Sequence, residues 1–303
     1  MYRVRRARDY RLRTHLVERL LARVGGNGWM AELAYRAGVQ PPVVVDTLAL
    51  CLPAPAPVLP ALRIAFASDF HAGPTTHPQA IAAACATLAQ LQPDLLLLGG
   101  DFVSLDVRHI EPLATLLGRV PAPLGRFAVL GNHDLWADDH PIVRRLTVAG
   151  VQVLINANQR LPPPYDHVWI CGLDDPTSGQ PDAQATLHGA DGVRIVLMHS
   201  PEGLELLGSY RFDLAWCGHT HGGQIALPSG RPLWVPPGRW NRRYPQGRYA
   251  LDQPPGAVLI VSRGVGYGGL PLRLFAPAEV HVATVTWEHV RVESSPSPPA
   301  TRG

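Results

Sequence analysis

Five short motifs contain the aspartate, asparagine and histidine side chains that are best suited to chemistry. They are Asp69-x-His71, Gly100-Asp101, Gly131-Asn132-His133-Asp134, His199 and Gly218-His219-Thr220-His221. Carboxylate, amide oxygen and imidazole suit Mn²⁺, Fe²⁺ or Zn²⁺ with open positions for water and substrate. The motifs contain no cysteine, which excludes a closed structural zinc site of the thiolate type. The ligands outnumber the needs of one ion, so we expect two divalent ions, which can clamp the attacking and leaving oxygens of an in-line displacement.

Each motif directly follows a short apolar run of the kind typical of a buried β-strand. Continuous apolar runs indicate strands covered on both faces, and helical patterns between several of them predict βαβ units with a parallel sheet. Side chains at the carboxyl ends of such strands converge, so Asp69 and His219 can meet although they lie 150 residues apart. In an extended segment residues i and i+2 share a face, which predicts that Asp69 with His71, and His219 with His221, chelate as pairs. The five runs are Ile64–Ser68, Leu95–Leu98, Phe127–Leu130, Ile195–Met198 and Leu214–Cys217.

Further runs complete the expected α/β architecture. Helical patterns cover Gln79–Leu91, Ile110–Leu117 and Ile142–Ala149. Apolar runs at Val151–Ile155, Val168–Cys171, Ala257–Val261 and Val280–Thr286 predict additional strands and a second sheet. The glycines beside Asp101, Asn132 and His219 predict tight turns and close backbone approach at the motifs.

The composition is that of a globular chain with a full core. The chain has 303 residues, of which 46% are apolar and 17% charged, with 31 Pro and 29 Gly. All 27 basic residues are arginine, yet no basic patch is interleaved with aromatics, so we expect no nucleic-acid partner. The four cysteines form no CxxC pair, which predicts buried, reduced thiols. No apolar run approaches the roughly 18 residues of a membrane span, and no signal-peptide pattern is visible, so we expect a cytoplasmic location.

Both flanks of the motif region differ from it in composition. Residues 10–24 predict a basic amphipathic helix, which either lies on the inner membrane face as a peripheral contact or packs on the domain with a solvated basic face. Pro-rich residues Leu52–Leu62 predict a linker or extended approach, and residues 294–303 predict a disordered tail. We therefore divide the chain into an N-terminal segment 1–61, a catalytic domain 62–289 and a tail 290–303.

Three other features carry weaker signals. Residues 264–269 match GxGxxG, but Pro271 and an extended segment follow instead of a helix, which excludes a dinucleotide loop and leaves a lining of the site mouth or a plain turn. The basic aromatic stretch 240–244 predicts either a loop that holds a substrate phosphate or lipid headgroup, or a solvated surface loop. Arg263 beside glycine is a candidate for phosphate contact.

Taken together, the five motifs resemble the complete motif set of the calcineurin-like metallophosphoesterase superfamily, over about residues 62–289. The later segments Gly222–Gln224, Ser262–Gly264 and Leu270–Phe275 are similar to a bacterial subgroup that includes small phosphodiesterases and UDP-diacylglucosamine hydrolases of lipid A synthesis. The resemblance implies a two-sheet α/β/β/α sandwich. It also implies a hydrolase that cleaves phosphodiester or pyrophosphate bonds of a small or lipid-linked molecule, such as UDP-diacylglucosamine.

The resemblance also implies residue roles. One metal ion, Mn, Fe or Zn, would be held by Asp69, His71 and His221. The other would be held by Asn132, His199 and His219, with Asp101 bridging the two. His133 would be the catalytic histidine and Asp134 would orient it. A soluble phosphatase or nucleotide phosphodiesterase is the alternative enzyme. A non-catalytic interaction module is the alternative of a different class, although such a module would be expected to have lost ligands that are all present here.

Overall fold

The computed structural model describes residues 28–54 and 59–289. Its helices are α1 (Trp29–Arg36), α2 (Pro78–Gln90), α3 (Ile110–Gly118), α4 (Asn132–Ala137), α5 (Asp139–Val148), α6 (Ala183–Leu187), α7 (Gly203–Leu207) and α8 (Arg239–Arg243). Its strands are β1 (Val44–Ala54), β2 (Leu62–Ala67), β3 (Leu95–Leu98), β4 (Arg126–Ala128), β5 (Gln152–Val153), β6 (Ala157–Arg160), β7 (Val168–Gly172), β8 (Val193–Leu197), β9 (Leu214–Cys217), β10 (Gly247–Ala250), β11 (Val258–Val261) and β12 (Glu279–His289). Short 3₁₀ turns occupy Val107–His109 and His221–Gly223.

The strands form two mixed six-stranded sheets. The first has the order β1-β12-β2-β3-β4-β5, and the second has the order β10-β11-β9-β8-β7-β6. In the first sheet β2 to β5 are parallel, β12 runs antiparallel to β2, and β1 is parallel to β12. In the second sheet β7, β8, β9 and β11 are parallel, whereas β6 and β10 are antiparallel. The predicted parallel strands and the second sheet are therefore confirmed.

The two sheets face each other across an apolar core, and helices cover both outer faces. The all-leucine strand β3 shows how one strand serves two layers. Leu95 and Leu97 point into the core between the sheets, while Leu96 and Leu98 join the core under α2 and α3. Between the sheets Phe66 stacks on Trp216 with ring centroids 5.5 Å apart. This arrangement is the predicted α/β/β/α sandwich, and burial on both faces explains the continuous apolar runs.

An edge strand enters the first sheet from the segment before residue 62. Strand β1 pairs with β12 along all of its 11 residues. Of the two predicted alternatives, residues 52–54 are therefore extended chain and not a linker, and Pro53 is tolerated there because β1 is an edge strand. Cys51 is exposed on this strand, whereas Cys85, Cys171 and Cys217 are buried, so the expectation of a buried thiol failed at Cys51.

Some predictions concern residues that the structure does not describe. The amphipathic helix at 10–24 and the tail at 290–303 lie outside the described residues, and the division of the chain at 61 and 289 stays a prediction. Among the described residues, none of the helices is long and apolar enough to cross a membrane.

Candidate metal centre

The five motifs meet where the carboxyl ends of the two sheets come together. Asp69 and His71 follow β2, Asp101 follows β3, and Asn132 opens α4 after β4. His199 follows β8 in the second sheet, and His219 and His221 follow β9. Direct contacts join the sheets at this point. His199 Nδ1 lies 2.8 Å from the carbonyl oxygen of Gly99, and the backbone N–H of His219 donates to Asp69 Oδ1 at 3.0 Å.

Ligand atoms gather in two clusters. In the first, His71 Nε2 lies 3.0 Å from His221 Nε2, and Asp69 Oδ1 lies 3.6 Å from the same His221 nitrogen. In the second, His199 Nε2 lies 3.1 Å from His219 Nδ1 and 3.1 Å from Asn132 Oδ1. Three sets of side chains have ligand atoms within 4.8 Å of one another: Asp69 with His71 and His221, His71 with Asp101 and His133, and Asp101 with His199 and His219.

The Asp101 carboxylate lies between the two clusters. Its Oδ2 atom is 3.5 Å from His71 Nε2 and 3.3 Å from His199 Nε2. Its other oxygen, Oδ1, accepts the backbone N–H of His133 at 2.8 Å. One oxygen is thus fixed by the backbone, and the other faces ligand atoms on both sides.

The charge state of these side chains fits positive ions. Burial lowers the pKa of His71 and of His219 to about 3, so both imidazoles are neutral and hold the lone pair that a metal ion needs. Burial also raises the pKa of Asp69 to about 6; His199 opposes this rise and the nearby Asp101 carboxylate adds to it. The neutral imidazoles of His71 and His221 face each other at 3.0 Å beside buried carboxylates, a donor set complementary to a divalent cation. At His199 burial opposes the charge, but the Asp101 carboxylate outweighs it and raises the pKa, so this imidazole must lose a proton when it ligates an ion.

Five of the seven ligand residues have a left-handed backbone. The φ angles are 53° at Asp69, 43° at His71, 54° at Asp101, 72° at His219 and 53° at His221. The expected chelation by alternation in an extended segment was therefore wrong. Left-handed turns bring Asp69 and His71 into the first cluster, whereas His219 and His221 belong to different clusters. Such conformations cost on the order of 1–3 kcal/mol each. Backbone hydrogen bonds hold them, for example from Asp69 N–H to Gly100 O at 2.9 Å and from His71 N–H to Asp101 O at 3.0 Å.

Two motif glycines allow the turns to approach each other. A Cβ atom at Gly131 would collide with the Asp101 carboxylate, and one at Gly218 would collide with Asp69 and Ser68. The predicted close approach at these glycines is confirmed.

The comparison with known proteins agrees with this geometry. The family model for calcineurin-like phosphoesterases matches residues 62–223, which contain all five motifs. The chain belongs to this family. It is therefore a phosphoesterase, a hydrolase that acts on ester bonds, and the family implies divalent metal ions at the described clusters.

Three bacterial relatives match over most of their length. The metallophosphoesterase YkuE of Bacillus subtilis is 32% identical over 66% of this chain and 70% of its own. A metallophosphoesterase of Aquifex aeolicus is 30% identical over 74% of this chain and 85% of its own. The phosphodiesterase YaeI of Escherichia coli is 32% identical over 72% of this chain and 80% of its own.

Within this phosphoesterase site, His133 lies beside the first cluster. Its Nδ1 atom is 2.8 Å from the carbonyl oxygen of Ser104. Because a carbonyl only accepts, Nδ1 carries the proton and Nε2 keeps its lone pair or a second proton for other partners. The ring packs edge-on against His71 at 4.7 Å and against Trp136 at 4.6 Å.

The Asp134 carboxylate ties two motif turns together. Its Oδ1 accepts the backbone N–H of Phe102 at 2.8 Å and that of Val103 at 3.2 Å, and its Oδ2 accepts that of Gly131 at 3.0 Å. These bonds place the turn that carries Asp101 against the turn that carries His133. The orientation of the His133 ring by Asp134 stays a prediction.

Arg273 is a site residue that the sequence analysis missed. Its Nη1 atom donates to the carbonyl oxygen of His221 at 3.1 Å, and Nη2 lies 3.1 Å from His221 Nδ1. Further bonds reach the carbonyls of Arg263 at 2.7 Å and Gly266 at 2.6 Å. Burial lowers its pKa to about 10, so the guanidinium stays charged at neutral pH. The sequence signal that could have indicated this role is an arginine between apolar neighbours in the segment Leu270–Phe275.

The GxGxxG segment, residues 264–269, packs against the turn that carries Asp69. The N–H groups of Val265 and Gly266 donate to the carbonyls of Ser68 at 3.0 Å and Asp69 at 2.6 Å. The segment therefore packs along the first ligand turn and is more than a plain surface turn. Residues 240–244 also differ from expectation, because most of them form helix α8 instead of a loop.

Arg263 lies in a buried ion-pair network. Its Nε atom donates to Glu279 Oε2 at 2.8 Å, and Nη2 contacts the same oxygen. His281 Nε2 lies 3.2 Å from Glu279 Oε1, and His281 Nδ1 lies 3.1 Å from Asp46 Oδ2. Glu279 engages two of the three guanidinium nitrogens, and substrate contact by Arg263 stays a prediction.

This network should make stability depend on pH. Burial opposes the charge on His281, but Asp46 and Glu279 outweigh it and raise the pKa of His281 above 6.5. The charged His281 therefore stabilises the folded state fully below pH 6.5, and this stabilisation is lost as the pH rises through the folded-state pKa of His281. We expect His281→Gln to lower the free energy of unfolding by about 3 kcal/mol near pH 6 and by less near pH 9.

Chemical denaturation with a chelator present would measure this, so that metal binding does not add to the stability. His188→Gln, which changes an exposed histidine, is the matched control and should have little effect. An equal loss for His281→Gln at both pH values would contradict the charge assignment.

Proposed function

We propose that this phosphoesterase holds two divalent ions and hydrolyses phosphodiester or pyrophosphate bonds. One ion would be bound by Asp69, His71 and His221, and the other by Asn132, His199 and His219. The observation that carries this proposal is the position of Asp101 Oδ2, within 3.5 Å of His71 and 3.3 Å of His199, where one carboxylate can serve both ions. When bound, such an ion pair supplies a nucleophile at neutral pH and neutralises charge on the phosphate oxygens.

His133 would donate the proton that the leaving oxygen needs. The Ser104 carbonyl holds Nδ1–H, so the proton for the leaving oxygen would come from Nε2. Packing against His71 and Trp136 restricts the ring to this orientation. A positioned acid of this kind contributes about 10²–10⁴-fold to the rate.

We further propose a lipid-linked substrate such as UDP-diacylglucosamine, whose pyrophosphate bond has the required chemistry. The similarity of Leu270–Phe275 to the bacterial subgroup supports this choice. Large apolar side chains beside the site, Leu270 and Leu274, are half exposed and offer a surface to acyl chains. The YaeI phosphodiesterase of Escherichia coli supports cleavage of a diester more generally.

A substrate panel tests both levels of this proposal. The protein would be loaded separately with Mn²⁺, Fe²⁺, Zn²⁺ and Mg²⁺ and assayed with an aryl phosphodiester, an aryl phosphomonoester and UDP-diacylglucosamine. We expect the lipid nucleotide to be cleaved fastest and the monoester slowest. A clear preference for the monoester would refute the diesterase proposal, and equal rates on the lipid nucleotide and the simple diester would refute the lipid-linked substrate. Chelated protein provides the blank.

A further inference from the structure

Six large apolar side chains are exposed on two loops next to the metal centre. We call them the apolar rim. They are Leu227, Leu233, Trp234, Leu270, Leu274 and Phe275. Trp234 is 65% exposed and Leu233 is 62% exposed, which is unusual for such large side chains in a protein with two packed sheets. A contiguous patch of exposed, large apolar side chains is typical of an interaction surface.

Backbone hydrogen bonds hold the two loops side by side. Ala226 N–H donates to Leu274 O at 2.8 Å, and Leu233 N–H donates to Ile225 O at 3.0 Å. The turn between them closes with a bond from Leu227 N–H to Arg231 O at 2.8 Å. Leu233 and Leu274 therefore lie on neighbouring segments that both flank Ile225, and the rim is one surface.

The apolar rim begins directly at the metal centre. Gln224 is three residues beyond His221, and its amide side chain donates to the carbonyl of Leu270 at 2.8 Å. Arg273 reaches inward to His221, while the next two residues, Leu274 and Phe275, are exposed. A partner that covered the rim would therefore lie beside the mouth of the site.

The charge around the rim identifies the kind of partner. Residues 219–251 contain five arginines, and residues 253–278 contain two more, with no aspartate or glutamate in either stretch. All five arginines of the first stretch are exposed: Arg231, Arg239, Arg242, Arg243 and Arg248. The basic helix α8 leads into Gln246, whose side chain donates to Gly230 O at 2.8 Å and so connects it to the rim. Acidic side chains also reach α8, since Asp252 lies 4.0 Å from Arg243 and Glu205 accepts the indole N–H of Trp240, but exposed arginines outnumber them. An apolar surface with an excess of arginine beside it is complementary to an anionic, apolar partner.

Anionic phospholipid membranes have both properties, because their headgroups attract arginine and their interface accepts leucine, phenylalanine and tryptophan. Nucleic acid would satisfy the arginines but gains nothing from aliphatic side chains such as Leu227 and Leu233. We propose that the apolar rim docks the protein on an anionic phospholipid surface, with the metal centre beside the bilayer. This goes beyond the proposed function, since docking needs no turnover and is measured without it.

Vesicle co-sedimentation of the full chain tests the proposal. The vesicles would contain phosphatidylcholine alone or phosphatidylcholine mixed with phosphatidylglycerol. We expect binding to the mixed vesicles, weaker binding at high salt, and little binding to phosphatidylcholine alone. The double variant Leu233→Ser with Trp234→Ser should bind the mixed vesicles about tenfold more weakly, because two apolar side chains no longer enter the interface.

A control variant removes two exposed apolar side chains outside the rim. Leu206 and Tyr210 are 41% and 42% exposed and lie near α7, so Leu206→Ser with Tyr210→Ser should bind like the unmodified chain. Hydrolysis of a soluble aryl phosphodiester by the rim variant should be unchanged, which shows an intact site independently of lipid. Undiminished vesicle binding by the rim variant would overturn the proposal. The proposal would also be overturned if the unmodified chain bound single-stranded RNA and not vesicles, and if the rim variant lost this RNA binding.

Discussion

Asp101→Asn should remove most of the bound metal and lower turnover by at least about 10³-fold. Asparagine adopts the left-handed backbone of this position readily, so the turn at φ 54° is kept. In the native chain the backbone N–H of His133 donates to Asp101 Oδ1. In the variant only the side-chain oxygen of the new asparagine can accept this bond, so the oxygen takes the position of Oδ1. The amide nitrogen then occupies the position of Oδ2 between His71 and His199. A nitrogen that carries two hydrogens cannot ligate a cation, and both clusters lose their shared carboxylate.

Metal content by elemental analysis and turnover of an aryl phosphodiester would be measured together. Asp106→Asn is the matched control, because it changes a partly exposed carboxylate that caps the following short helix, a role that asparagine also fills. The control should keep its metal and its rate. An Asp101→Asn protein with undiminished metal content would contradict the bridging position.

His133→Ala should lower turnover by about 10²–10⁴-fold while both ions stay bound. The side chain is close enough to His71 and Asp101 to belong to a possible ligand set, so metal content decides between two roles. If His133 is the acid, the ions remain. If it is a ligand, they are lost together with activity, and the proposed role is wrong.

The leaving group provides a second readout for His133. A nitrophenolate leaves without much help from a proton, whereas an alkoxide depends on protonation. The loss in His133→Ala should therefore be larger for a diester with an alkyl leaving group than for a nitrophenyl diester. Equal losses on the two substrates would indicate that His133 only shapes the site.

Much of the site was predictable from the sequence because each motif directly follows an apolar strand. The carboxyl ends of parallel strands gather at one edge of a sheet, which was enough to expect Asp69 and His219 close together. The two residues in fact follow strands of different sheets, whose edges meet at the site. The same reasoning predicted the fold, since β3 with four consecutive leucines requires cover on both faces.

Other features depend on contacts that no local pattern contains. The left-handed turns at His71 and His221 arise from hydrogen bonds to distant loops, and an extended segment was the simpler expectation. Strand β1 forms because it pairs with β12, which lies more than 200 residues later in the chain. Arg273 is surrounded in sequence by leucine and proline, and only the folded chain shows that it holds the carbonyls around His221.

The left-handed ligand turns carry a consequence for how this protein can change over evolutionary time. Aspartate and histidine at such angles work against the preference of the backbone for glycine. Glycine would relieve this strain, but at Asp69 and Asp101 it would also remove the carboxylate that accepts the backbone N–H of His219 or of His133. The same carboxylates thus hold the turns and stand among the candidate ligands, so a lineage that lost them would lose hydrolysis together with the bonds that shape its site.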